Sequence, residues 1–473
     1  MIWQKKSTFV HSYNMQNKMK RYSLLVAALL LAITASAQGF WELNPQPADL
    51  RAGRIYRTEV IPYDTRHDAD ARNREGSGHS IAFSPEVLVD SEALSIVGST
   101  LEIPYAWTDG VVYLHLENVG SAYSLFVNDA LVAEVEDPLT PAEFHLTPLM
   151  HQGTNSFKLL LRPSRTPAIN PTPRVERPRF TDSYLYYQEK RSMRDFELSL
   201  EPDSLQRDGI LRVRFVAQNA YNYDEQVELG YDIYSPQAKL LDCNMRSIPI
   251  PGRSVDTIRF DPFIYHVNEN RWNAVSTKRP PLYKVMLFTR RNGTYKEYMP
   301  LLIGFGRTEW YKGTIYRFDE PLTLKKQAYN AAVDRQTTLS EMRSLKAKGI
   351  NTLCPNYPQP AWFYDLCTEQ GMYVIDCPAI AAPEKRNDRT VGGTPSNDPT
   401  LVEEYLERVK AMYYRSRNYT CVIAYALGNP SGNGYCMYKA YEWLKSVEKH
   451  RPVVYEDALG EWNNDLYSID YAD

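Results

Sequence analysis

The spacing of apolar residues changes near Lys312, and that change fixes the architecture this chain can adopt. Upstream, short runs alternate with period two: VVYLHLENV (Val111 to Val119) sets Val112, Leu114 and Leu116 against Tyr113, His115 and Glu117, giving one face for a core and one for water. Downstream, strand-length apolar runs alternate with helix-length ones. The order is LTLKK, a helix over 336–348 ending at Gly349, INTLCP, a helix over 361–370 ending at Gly371, then MYVIDC. A helix over 399–417, VIAYALGN, a helix over 435–449, PVVYE and DLYSID complete the run. Parallel strands need crossovers of about this length, so the pattern predicts (β/α) units and about six strands of a TIM-type barrel. Eight strands close such a barrel, and the sequence stops at Asp473, so the expectation is an incomplete one.

The upstream region reads as two β domains. SLFVNDALVAEV (Ser124 to Val135) is two strands around an Asn128-Asp129 turn, and FKLLL follows the turn Gly153-Thr154-Asn155. PSRTPAINPTPRVERPRF (Pro163 to Phe180) carries too many prolines for a central strand or a helix and reads as a linker. Beyond it, MRDFELSLEP and ILRVRFVAQ alternate cleanly, and VMLFTRRNGTYKEYMPLL turns back at Asn292-Gly293, which suggests an immunoglobulin-like sandwich. The expected domains are thus residues 38–180, 181–309 and 310–473, multidomain β followed by α/β.

Residues 1–37 read as a leader. Lys18, Lys20 and Arg21 precede the apolar run Leu24 to Ile33, and Ala35-Ser36-Ala37 forms a small-residue cleavage site. The run is too short to span a bilayer, and the polar first 14 residues suggest that export starts at Met15 or Met19. A periplasmic or secreted protein with no membrane span is expected. Fifty-four basic and 57 acidic residues give a formal charge of -3, mixed along the chain, which leaves no electrostatic footprint for nucleic acid. Six Cys, five of them in the last third and Cys243 alone, follow neither a metal nor a disulfide-scaffold spacing, so for most of them a buried free thiol is expected. Eight His lie singly, and no Gly-rich phosphate loop or HExxH run occurs, so no metal and no cofactor are expected.

Several stretches together resemble glycoside hydrolase family 2, the β-galactosidase family. They are VYLHLENVGSAYSLFVNDALVAEV with Glu143-Phe144, Thr147 and Gly153-Thr154-Asn155, then GFGRTEW, and, in the last third, NYP (Asn356 to Pro358), FYDLCTEQG, YALGN (Tyr425 to Asn429) and RPVVYED. The resemblance implies an N-terminal jelly roll, an immunoglobulin-like sandwich and a catalytic barrel. It also implies two glutamates at barrel strand ends, one an acid/base following an Asn and the other a nucleophile near the seventh strand.

The chain departs from that pattern where chemistry is expected. YALGNPSGNG has Pro430 at the acid/base position, and proline has neither a proton to give nor a lone pair to take one. The seventh strand is not found; Cys377 stands for a Glu, Asn356 and Asn330 for His, and the family's Arg on the second strand is missing. Gly349, Gly371, Gly428 and the strand alternation persist. No catalytic residue is therefore assigned. Asn356, Tyr357, Trp362, Asn429 and Glu456 are the candidate carbohydrate-binding residues. For four of them a structural role stands beside the functional one: Asn429 holds a sugar hydroxyl or caps the backbone, Glu456 meets ligand or anchors a barrel network, and Tyr357 and Trp362 stack on sugar or pack under the rim. The expectation is an exported carbohydrate-binding relative with impaired catalysis. The alternatives are an active β-glycosidase whose C-terminal part lies outside this reading frame, and a scaffold acting through its sandwiches; oligomeric state is left open.

Overall fold

The computed structural model describes residues 52–90, 95–117, 119–171, 180–274, 279–332 and 334–466. The expected leader and most of the DLYSID strand lie outside them. Two β-sandwiches precede a parallel sheet flanked by helices.

The first sandwich packs two five-stranded sheets. Strand Gly110–Leu116 puts Leu114 and Leu116 with Leu125, Phe144 and Leu159 in the core, but the face expected to meet water is buried too: Tyr113, His115 and Glu117 are covered where the later domains pack, Glu117 pairing with Arg415 at 3.0 Å. Asn128 (φ 49°) and Asp129 (φ 63°) form the tight turn between Ala122–Val127 and Ala130–Val135. The Asn128 amide donates to Leu149 O (2.9 Å) and to Asn155 Oδ1 (2.8 Å), so this turn and the 153–155 turn are one unit. Strand Tyr184–Glu189 pairs antiparallel with Gly110–Leu116, Leu185 opposite Leu114. The expected boundary at residue 180 therefore falls one strand early. Alternation shows which face a strand buries but not which sheet it joins, and here Tyr186 stacks on Tyr113 at 5.1 Å.

The second sandwich sets Arg191–Pro202, Gly209–Asn219 and Ser254–Phe260 against a sheet ordered Leu240–Ile250, Glu225–Tyr234, Tyr283–Arg291, Thr294–Ile303. The hairpin at Asn292-Gly293 forms as expected, both residues left-handed. Glu297 is fully buried where the sandwiches meet, accepting from Gln188 Nε2 (3.1 Å) and Thr289 Oγ1 (3.2 Å). Burial pushes its carboxyl up to about 8, against those two hydrogen bonds. Because the folded value exceeds the unfolded one of about 4.3, its stability contribution is complete below the unfolded value and is lost as pH rises through about 8. Glu297→Gln is expected to be more stable than the parent above about pH 8 and to flatten the fall in urea midpoint between pH 5 and pH 8; equal slopes in the two proteins would refute this.

The parallel sheet runs in sequence order: β1 (Lys326–Ala328), β2 (Thr352–Cys354), β3 (Tyr373–Asp376), β4 (Val422–Ala426) and β5 (Val453–Val454). Helices α1 (Arg335–Ala347), α2 (Ala361–Gln370), α3 (Val402–Ser416) and α4 (Tyr435–Val447) connect them. Asp334 caps α1 by accepting from Thr337 N (2.8 Å). Gly371 ends α2 at φ 66°, and an added Cβ would lie 3.1 Å from Asn273 O, so this stop requires glycine.

Residues from outside the barrel help complete its core, Ile169 and Trp272 among them. Ile169, in the segment read as a linker, is fully buried there; its carbonyl accepts from Ala381 N (3.0 Å) and Arg408 (3.4 Å). That segment is a docked strap over residues 167–169; residues 172–179 lie outside the described ones. Trp272 is also fully buried, donates to Thr368 O at 2.9 Å and stands edge-on to Tyr373.

Candidate functional site

The C-terminal ends of β1 to β5 open into a cavity of about 350 Å³. In parallel α/β architectures this is the end where ligands bind. Cys354 ends β2 and Asn356 follows it, Cys377 follows β3, Asn429 and Pro430 follow β4, and Tyr455 and Glu456 follow β5. The structure thus brings together Asn356, Asn429 and Glu456 of the expected set.

Asn429 is held on three sides. Its backbone N–H donates to Ile380 O (2.9 Å), and its side-chain amide donates to Asn356 O (2.7 Å) and again to Ile380 O (2.9 Å). Both amide protons thus join the loops after β2 and β3, which makes the backbone role real and leaves only Oδ1 to meet a ligand. Asn356 is placed in turn by its own N–H, which donates to Asn330 Oδ1 at 2.9 Å.

The turn after Pro430 is fixed by a residue that sequence reasoning missed. Asp457 is buried, and its carboxylate accepts from Ser431 N (2.7 Å) and Gly432 N (2.6 Å) while Arg386 pairs with its other oxygen. Ser431 Oγ closes back on Asn429 O at 2.7 Å. The anchoring role considered for Glu456 therefore falls to its neighbour. Glu456 itself is exposed to the mouth, and its carboxylate has no hydrogen bond or ion pair among the described residues. Nothing in Tyr-Glu-Asp marks which acid turns inward.

Asp376, at the end of β3, does not line the cavity. It is fully buried beneath α2 and α3, accepts from Tyr364 OH (2.9 Å) and Cys377 N (3.1 Å), and burial pushes its carboxyl up to about 6. Burial also raises the two cavity thiols, Cys354 to about 12 and Cys377 well above its ordinary value. Both are neutral at physiological pH and poor nucleophiles or metal ligands. Among the described residues no group of three or more His, Cys, Asp or Glu could hold a metal ion.

Tyr357 and Trp362 do not line the mouth. Tyr357 O accepts from Gln359 Nε2 at 2.6 Å, and Trp362, in the first turn of α2, faces a separate cavity between the three domains. The phase of α2 turns the indole away from the barrel axis, which the spacing from NYP could not show.

Glycoside hydrolysis by the common routes takes two carboxyl groups, about 5 to 9.5 Å apart according to stereochemistry. The residues lining the mouth supply one, Glu456, and put a pyrrolidine ring beside Asn429. What they offer a guest is a polar rim of amide and carboxylate oxygens over a floor of Ile375, Ala426 and Val454.

The family model for "Glycosyl hydrolases family 2, TIM barrel domain" matches residues 325–472. The chain is 29% identical over 360 residues to a β-galactosidase of Vibrio cholerae, covering 72% of this chain and 34% of that one. It is 26% identical over 409 residues to a β-galactosidase of Lactococcus lactis, covering 80% and 37%. The chain thus spans between a third and two fifths of the length of these curated relatives. Among solved structures, a Bacteroides uniformis β-glucuronidase superimposes with a TM-score of 0.65 at 15% identity, over 77% of this chain and 46% of that one. A putative β-galactosidase from Bacteroides fragilis gives 0.63 at 14%, over 86% and 63%. Those likenesses show the fold, and the barrel match, with the two curated β-galactosidases, makes residues 325–472 similar to the TIM barrel domain of glycoside hydrolase family 2.

Proposed function

We propose that this β-glycosidase-like chain binds terminal β-linked sugars at the barrel mouth and that its hydrolysis is impaired. The observation that carries the reading is Pro430: it stands in the mouth directly after Asn429, where the family resemblance puts the proton donor, and Glu456 is the one carboxylate in the cavity lining. Loss of general acid catalysis alone costs about 10² to 10⁴ in rate. Glu456 and the Oδ1 of Asn429 are the groups that hold the guest. The amino-terminal leader pattern supports export to the periplasm or beyond the cell.

The test is a pair of measurements on the purified protein with nitrophenyl β-galactoside, β-glucoside and β-glucuronide. No release of nitrophenol above the buffer rate is expected, whereas the matching methyl glycoside binds and Glu456→Gln weakens it by about tenfold, the loss of one charge-assisted hydrogen bond. Turnover abolished by Glu456→Gln or Asn429→Ala would overturn impaired catalysis; binding untouched by both would overturn the site.

A further inference from the structure

A second cavity, of about 280 Å³, lies where the two sandwiches meet α2 and the end of α3, away from the barrel mouth. Trp362 forms one wall and the strand segment 299–303 another. The charges around it are engaged in ion pairs, Arg335 with Glu369 outside the wall at 3.2 Å and the others within it. Arg72 meets Asp365 at 2.8 Å, Arg74 meets Asp182 at 3.5 Å, and Arg415 meets Glu59 at 3.3 Å and Glu117 at 3.0 Å. Four Arg and four acidic residues line the space, counting Arg335. The rim is open to solvent, since the Arg72 and Asp182 side chains are 36% and 48% exposed.

Three polar groups in this wall are left over. The hydroxyls of Tyr63 and Tyr419 and the indole N–H of Trp362 have no hydrogen-bond partner among the described residues. An ionic guest would have to displace one member of an existing ion pair, leaving the other uncompensated in a partly desolvated place. A neutral guest keeps every pair and adds hydrogen bonds to their unused donors and acceptors. Its shape follows from the walls: one apolar face to lie on an indole, and hydroxyls around its edge to meet planar guanidinium and carboxylate groups. A pyranose ring has that shape, and the volume takes one or two such rings.

We propose that this junction cavity is a second carbohydrate site, taking a neutral mono- or disaccharide unit, with Trp362 as its stacking platform and the Tyr63 and Tyr419 hydroxyls as hydrogen-bonding groups. It is independent of the reading of the barrel mouth. Because its walls come from three domains, an occupant also ties the domains together.

The experiment uses the whole protein and measures binding of methyl β-galactoside, methyl β-glucoside and lactose by saturation-transfer NMR and calorimetry, in parent, Trp362→Leu, Tyr419→Phe and Glu456→Gln proteins, with methyl glucuronide as the anionic arm. Two classes of site are expected for at least one neutral sugar. One loses about tenfold in affinity in Trp362→Leu and a smaller factor in Tyr419→Phe, and it is unchanged in Glu456→Gln; methyl glucuronide does not compete for it. Tyr419→Phe deletes only a hydroxyl, so it reports on the site should Trp362→Leu fail to fold. The proposal is overturned if no neutral sugar shows a class of site sensitive to either junction variant, which leaves a hydrated junction only, or if methyl glucuronide displaces the neutral sugars there. Failure of the mouth instead shows as binding indifferent to Glu456→Gln, so the two outcomes are distinguishable.

Discussion

Arg415→Met is expected to lower the stability of the protein by about 3–5 kcal/mol, read as a lower urea midpoint with an unchanged slope. Arg415 closes α3 at the meeting point of the domains, buried to 6% side-chain exposure. Its guanidinium donates to both oxygens of Glu117 (3.0 and 3.2 Å), to Glu59 (3.3 Å) and to Gln359 O (3.0 Å). Burial pushes the Glu59 carboxyl up, but His115, Arg415 and Arg74 together hold it below its ordinary value. Methionine fills the stem's volume and removes the charge, leaving two buried carboxylates with His115 as their nearest partner, 2.9 Å from Glu117. The loss should therefore shrink at about pH 5, where the orphaned Glu59 carboxylate takes up a proton, relative to about pH 8. A loss below about 1 kcal/mol at both values would place this network among surface-like ion pairs.

Trp272→Ala is expected to cost a similar amount, about 3–5 kcal/mol. The indole is fully buried between the immunoglobulin-like sandwich and α2, with Arg317 over its face at 5.3 Å and its N–H on Thr368 O. Gly304 lies under the same ring, and even a Cβ there would approach it at 2.4 Å, so the pocket is filled and the void left by truncation cannot collapse cheaply. Differential scanning calorimetry checks this: one transition at lower temperature is expected, because the residue joins two domains into one cooperative unit. Two separated transitions in the parent would contradict that picture.

Features set by local chemistry were legible in the sequence. The turns at Asn128-Asp129 and Asn292-Gly293 need left-handed residues, and Asn, Asp and Gly supply them. The helix end at Gly371 follows from orphan backbone groups. The strands were legible but overlong: VIAYALGN and PVVYE contain β4 and β5 only at Val422–Ala426 and Val453–Val454, since apolar residues continue into the loops that shape the mouth. What sequence could not reveal is whatever depends on a distant partner. Tyr184–Glu189 joins the earlier sheet because Gly110–Leu116 offers an edge. Ile169 leaves its proline-rich surroundings for the barrel core. Asp457 rather than Glu456 turns inward because Ser431 and Gly432 present two N–H groups to it.

The docking of Ile169 also bears on the order in which the chain folds. Its contact with Arg408 spans 239 residues, and ordering so long a loop must precede any gain from the contact. During synthesis the first sandwich emerges well before α3 exists, so the strap at 167–169 waits undocked with its apolar side chain bare. The barrel in turn has a gap in its core until the strap arrives. Native packing of the last domain is thus the step that retires an exposed segment of the first, and the interval between the two is when aggregation or a holding chaperone would act on this protein.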